Sequence, residues 1–177
     1  LDVSTESTLQ LTPNIIQPNE VLYCSVTAED ELGGQSTQII STTIANTEPS
    51  FTQSALISFD SNPTNGSILY CSAEGEDQDG DVEISYTWKN GSTTLSTDSQ
   101  WIIDADQSNI GDTISCTALL RDSSNSLLIS TDSVVIVNAI PQISMDLNHV
   151  SSLPIEGDEL TCSYTEDIDP DGDTLVY

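Results

Sequence analysis

Four cysteines, Cys24, Cys71, Cys116 and Cys162, and two aspartate triplets, Asp77/Asp79/Asp81 and Asp169/Asp171/Asp173, are the residues of this chain best suited to chemistry. The thiols carry no CxxC pair and no histidine cluster, which argues against metal ligation and leaves buried free thiols or disulfides. The triplets place alternate carboxylates around Gly80 and Gly172. Such a turn can offer oxygens to Ca2+, which accepts about six to eight of them in flexible geometry; a solvated acidic turn is the plain alternative. This is no EF-hand, because the sixth position counted from Asp77 is Val82 and the twelfth is Trp88. Asn65-Gly66-Ser67 and Asn90-Gly91-Ser92 are acceptors for N-linked glycans, both in turn-forming stretches.

These features recur at a fixed stride. Cys116 follows Cys24 by 92 positions, as Asn138 follows Asn46 and Pro141 follows Pro49. A second set of matches pairs Pro63 with Pro154, Gly66 with Gly157, Leu69 with Leu160, Cys71 with Cys162 and Asp79-Gly80-Asp81 with Asp171-Gly172-Asp173, at offsets of 91 or 92. Self-similarity of this kind marks a repeat array. Three segments result: 1–48 is the C-terminal half of a repeat, 49–140 a complete repeat, and 141–177 the N-terminal half of the next. Tyr177 aligns with Tyr86 and Leu1 with Thr93, so joining end to start omits only the counterparts of 87–92, Trp88 among them. Two origins fit this seam: a piece cut from a longer chain, which is the preferred expectation, or half-repeats of neighbouring copies that complete one another.

Charge narrows the partners. Lys89 and Arg121 face 29 Asp and Glu, for a net charge of −27, which excludes a phosphate-gripping nucleic-acid surface and disfavours anionic membranes. Self-repulsion this strong is relieved by salt, since the Debye length falls from about 8 Å at physiological strength to about 3 Å at 1 M. No stretch resembles a transmembrane span or a signal peptide, and the chain starts at Leu1; targeting and anchoring segments are expected elsewhere.

The elements that must position these residues are strands. Leu69, Cys71 and Ala73 alternate with Ile68, Tyr70 and Ser72; Ile84, Tyr86 and Trp88 share a face, as do Ile114, Cys116, Ala118 and Leu120. β-Branched Thr, Ile and Val fill these runs, and Asn65-Gly66, Asp79-Gly80, Asn90-Gly91 and Gly111-Asp112 punctuate them. About seven short strands in one repeat is a sandwich count, so the expected fold class is all-β, as tandem sandwiches linked end to end.

On Leu69-Tyr70-Cys71, Asp77-Gln78-Asp79-Gly80-Asp81, Tyr86-Thr87-Trp88, Gly111-Asp112-Thr113-Ile114-Ser115-Cys116 and Asn138-Ala139-Ile140-Pro141, the repeat resembles the tandem immunoglobulin-like repeats of bacterial and archaeal surface proteins. It departs from antibody domains in having Ile114 and Leu22 at the tyrosine-corner position and a longer Cys-to-Trp interval. The resemblance implies a disulfide between Cys71 and Cys116 across the sheets, with Trp88 packed on it. By the same equivalence Cys24 and Cys162 each lack a mate in their own half-repeat, and their partners are expected outside this segment: further along the sequence or in a neighbouring copy, not in each other within one chain. It also implies that the aspartate loop lies where the chain enters the sandwich, which adds Asn46, Glu48 and Asp122 as candidate calcium ligands. That layout is similar to the calcium-stiffened junctions of cadherins.

Catalysis is not expected, since the single His149 stands beside no cysteine and the complete repeat has Asp60-Ser61-Asn62 in the equivalent region. The features together fit a structural repeat of an extracellular surface array or free filament, disulfide-bridged, calcium-clamped and glycosylated, whose partners are neighbouring copies or adjacent repeats of a longer chain. The alternative is an adhesin or carbohydrate-binding module, with Trp101, Tyr70 and Tyr164 as aromatic platforms for glycans, although Leu9 at the register of Trp101 favours a core position there.

Overall fold

A computed structural model describes residues 3–149 and 153–176, with positions 149 and 165–167 described by backbone alone. The seam residues Leu1 and Tyr177, and the side chain of His149, lie outside that description. Among the described residues all regular structure is β. The strands are β1 (Val21–Glu29), β2 (Gln35–Thr43), β3 (Ser50–Ser58), β4 (Ile68–Glu76), β5 (Val82–Asn90), β6 (Thr93–Ser96), β7 (Gln100–Ile102), β8 (Thr113–Asp122), β9 (Leu127–Val135), β10 (Gln142–His149) and β11 (Leu160–Ile168).

They form four sheets: the hairpins β1-β2 and β10-β11, a three-stranded sheet β3-β4-β7 and a four-stranded sheet β6-β5-β8-β9. Between Pro49 and Ile140 there are seven strands, and Cys71, Trp88 and Cys116 occupy the second, third and sixth of them. The three- and four-stranded sheets share one apolar cluster. Ile57, Leu69, Cys71, Trp101 and Ile103 enter it from one side, and Trp88, Ile114, Cys116 and Ile136 from the other. Period-2 alternation accounts for this. On β8, Ile114, Cys116, Ala118 and Leu120 are fully buried while the residues between them are half-exposed. Cys71 and Cys116 form a disulfide with Cα atoms 6.4 Å apart, so a covalent bond joins β4 of one sheet to β8 of the other. The arrangement is consistent with a β-sandwich.

Local devices hold the register. Leu69 on β4 lies opposite Trp101 on β7, and the Trp88 and Trp101 rings are tilted with centroids 6.5 Å apart. Trp88 Nε1–H donates to the carbonyl of Asp98 at 3.0 Å, which satisfies the one polar atom that a buried indole brings in. A bulge between Trp88 and Lys89 shifts the pairing of β5 with β6. At Ile57 on the edge strand β3, the backbone N–H donates to Asp132 Oδ2 at 2.8 Å.

The chain groups into two compact units. One comprises Leu1–Ser54, Ala73–Ser85 and Ala118–Ser130. It contains the β1-β2 hairpin, whose register runs from Val21↔Thr43 to Glu29↔Gln35, and a close approach at Gly75, where an added Cβ would lie 2.6 Å from Leu120 Cδ1 and 3.1 Å from the carbonyl of Ser50. The other comprises Ala55–Ser72, Tyr86–Thr117 and Thr131–Tyr177. It holds the disulfide, the apolar cluster and the β10-β11 hairpin, in which Met145 lies opposite Tyr164 and Leu147 opposite Cys162. Among the described residues no helix is long and apolar enough to cross a membrane.

Candidate functional site

The aspartate loops are built first by their own backbone. Asp77 Oδ1 accepts from Asp79 N at 2.6 Å, and Asp169 Oδ1 accepts from Asp171 N at 2.9 Å. Each is an Asx turn that aims the second carboxylate of its triplet outward. Asp77 also bridges to Gly80, whereas Gly172 adopts φ 80° and donates its N–H to Asp169 O at 3.0 Å, a conformation that costs glycine little.

The aimed carboxylates then seize the preceding connecting segment. Asp79 Oδ2 accepts from the backbone N–H of Thr47, and Asp171 Oδ2 accepts from the backbone N–H of Ala139 at 2.5 Å. The same contact occurs twice, 92 residues apart in both donor and acceptor. The neighbouring asparagine repeats as well: Asn46 Nδ2 donates to Thr47 O at 2.8 Å, and Asn138 Nδ2 to Ala139 O at 2.5 Å. Asn46 reaches further, donating to Asp122 Oδ2 at 2.8 Å and Ser126 Oγ at 3.1 Å. Asp122, only 6 % exposed, also accepts from Ser126 N at 2.7 Å through its other oxygen. A segment without strand or helix is thereby tied down by charge-assisted hydrogen bonds, the stronger kind.

Of the expected calcium ligands, the structure brings Asp79, Asp122 and Asn46 onto one linker, and Asp171 onto the other. Glu48 lines a shallow hollow with Thr47, Ser50, Glu76, Asp77 and Gln78. Asp81 and Asp173 are exposed. Among the described residues no three His, Cys, Asp or Glu side chains gather as a metal-holding group. One oxygen still speaks for a cation: Asp77 Oδ2 is buried and has no hydrogen-bond partner. The residues fit calcium only in part, because Asp79 and Asp171 are already committed to backbone amides.

The sequons differ in their hydrogen bonding. Asn65 Nδ2 donates to Pro170 O, and its Oδ1 accepts from Ala105 N at 3.1 Å. Asn90 Nδ2 donates both to Asp112 Oδ2 at 2.7 Å and to Gln107 O at 3.3 Å. A glycan replaces one amide hydrogen, so at Asn90 it displaces a bond that Asn65 does not have to give up. Trp101 is 7 % exposed and packed on Trp88; Tyr70 and Tyr164 remain on the surface. Cys24 and Cys162 are free and exposed.

Among the described residues two carboxyls titrate low. The backbone N–H of Asn109, followed by the Asn90 amide, holds Asp112 below the ordinary value of 3.8, and the Asn46 amide does the same for Asp122. A carboxyl depressed in the folded state contributes stability above its unfolded pKa, and that contribution is lost as pH falls through the folded value. Stability against urea is therefore expected to fall below about pH 4, and to fall more steeply for the wild type than for Asp122→Asn. Equal slopes for the two proteins would remove Asp122 from the account.

No protein-family model matches the chain, and no curated protein matches it significantly.

Proposed function

We propose that the chain is a non-catalytic structural repeat of an extracellular surface array or filament, built of immunoglobulin-like sandwiches linked end to end. The observation that carries this reading is the carboxylate clasp, made by Asp79 on Thr47 and made again by Asp171 on Ala139. A tethered binding module needs no such clasp; a rod does, because its product is a restricted angle between successive domains. The Cys71–Cys116 disulfide suits an oxidising exterior, and a surface with net charge −27 suits salt-rich surroundings. Partners in this reading are neighbouring copies or adjacent repeats. Glycans at Asn65, and calcium resting on Asp77 Oδ2 beside Glu48, are further elements of it.

Removing both clasps tests the proposal. Each charge-assisted bond contributes about 1.5–3 kcal/mol, so Asp79→Ala/Asp171→Ala should broaden the distance distribution between spin labels placed in successive repeats, while the sandwich core melts as before. An unchanged distribution would show that the clasps do not set the angle. The same labelled protein with millimolar calcium or with chelator, at fixed ionic strength, tests the metal: binding stabilises by RT ln(1 + [L]/Kd), and identical melting in both would remove calcium from the scheme.

A further inference from the structure

Between β6 and β7 the chain crosses from one sheet to the other, and each of these strands is an edge of its sheet. An open hollow of about 590 Å³ lies at this crossing, with Leu95, Asp98, Gln100, Trp101, Asp104 and Gln107 in its lining, all within the unit that holds the disulfide. Sites for small ligands span about 300–1,000 Å³.

The lining is chemically selective. Trp101, packed on Trp88 and 7 % exposed, and the half-buried Leu95 supply an apolar base. With them stand the carboxylates of Asp98 and Asp104 and the amides of Gln100 and Gln107. Neither Lys89 nor Arg121, the chain's two Lys and Arg residues, lines the hollow, so a phosphate, sulfate or uronate would meet two negative charges and no positive one. Neutral hydroxyls suit this set: a carboxylate accepts from them, and a glutamine amide both donates and accepts. A pyranose ring combines such hydroxyls with an apolar C–H face.

The wall of the hollow is set in advance. Asp104 Oδ1 accepts from Asp106 N at 2.9 Å, and the Asp104 carbonyl accepts from Gln107 N at 3.0 Å and from Ser108 Oγ at 2.9 Å. The bond from Trp88 Nε1–H fixes the Asp98 carbonyl to the core. Two other oxygens are held loosely, Asp98 Oδ2 by Ser96 Oγ at 3.4 Å and Asp104 Oδ2 by Gln107 Nε2 at 3.3 Å, lengths at which a ligand hydroxyl competes.

We infer that the hollow between β6 and β7 binds a neutral saccharide, with Trp101 and Leu95 under the ring and Asp98, Gln100, Asp104 and Gln107 on its hydroxyls. The sugar has two possible sources: a glycan linked to Asn65, which lines the same hollow, or a saccharide carried by another molecule. Such a site adds a ligand to the structural role and does not depend on the clasps.

Two tryptophans give two indole signals in nitrogen-15 spectra. Titrating the unglycosylated chain with millimolar cellobiose or N,N′-diacetylchitobiose should move the Trp101 indole and the Gln100 and Gln107 amide signals saturably, and glucuronic acid should move none of them. Gln100→Ala/Gln107→Ala, at two exposed positions, should weaken binding about tenfold and leave the melting temperature unchanged. A chain glycosylated at Asn65 separates the sources. Its own glycan, if seated in the hollow, shifts the Trp101 indole before any probe is added and shuts the probe out; a site for an outside saccharide still takes up the probe. No saturable shift with either neutral probe, equal binding of glucuronic acid, or wild-type affinity in the double variant would each overturn the inference. The spin-label distances are read on a different part of the molecule, so the clasp proposal stands or falls separately.

Discussion

Reducing the Cys71–Cys116 bond lowers the stability of the central sandwich by about 4 kcal/mol, because the 45-residue separation it closes restricts the unfolded chain. That is a large share of the roughly 5–15 kcal/mol by which a typical domain is stable. The loss is greater than one hydrogen bond or one surface charge can supply. It should be read as a drop in the denaturant midpoint of the Cys71→Ala/Cys116→Ala protein, since the double substitution also avoids a half-paired thiol. Two buried alanines replace sulfurs that share one buried cluster with Trp88 and Leu69, so packing adds to the entropic loss. A midpoint within error of the wild type would mean that the sheets hold without their covalent tie.

Trp88→Ala should be nearly as severe. The side chain is fully buried, and removing a buried indole costs about 3–5 kcal/mol through lost transfer energy and a residual cavity. The carbonyl of Asp98 also loses the donor it has in Trp88 Nε1. For a unit of this size the melting temperature should fall by roughly 15–30 °C. Trp101→Leu provides the contrast. It removes the partner ring 6.5 Å away, but the matching sequence position 92 residues earlier carries Leu9, so a smaller drop is expected from calorimetry. Equal losses at the two positions would contradict the account of the core given above.

The elements were legible because their signals are local. Alternation on Ile114, Cys116, Ala118 and Leu120 states which face of β8 is buried, and the structure buries those four. The Cys71–Cys116 pairing was what the immunoglobulin-like resemblance implied, and the bond is there. The clasp was not legible as a clasp. Its donors are backbone amides, so Thr47 and Ala139 occupy equivalent positions with unrelated side chains, and only the acceptors Asp79 and Asp171 repeat. Carboxylates declare their charge and not the atom they face, so a metal site, a solvated acidic turn and a clasp look alike in the sequence. Gly75 escaped notice for a similar reason: what excludes a Cβ there is Leu120, 45 positions away, and separation of that order leaves no mark on the local sequence.

The hydrogen bond from Ile57 N to Asp132 Oδ2 bears on how an open sheet edge is guarded. A border strand with idle amides is a template for any passing strand, and chains packed side by side would offer many such borders. With a carboxylate seated on one of those amides, an incoming strand has to evict a fixed negative charge before its ladder can start. Growth into amyloid-like ribbons is discouraged at that border.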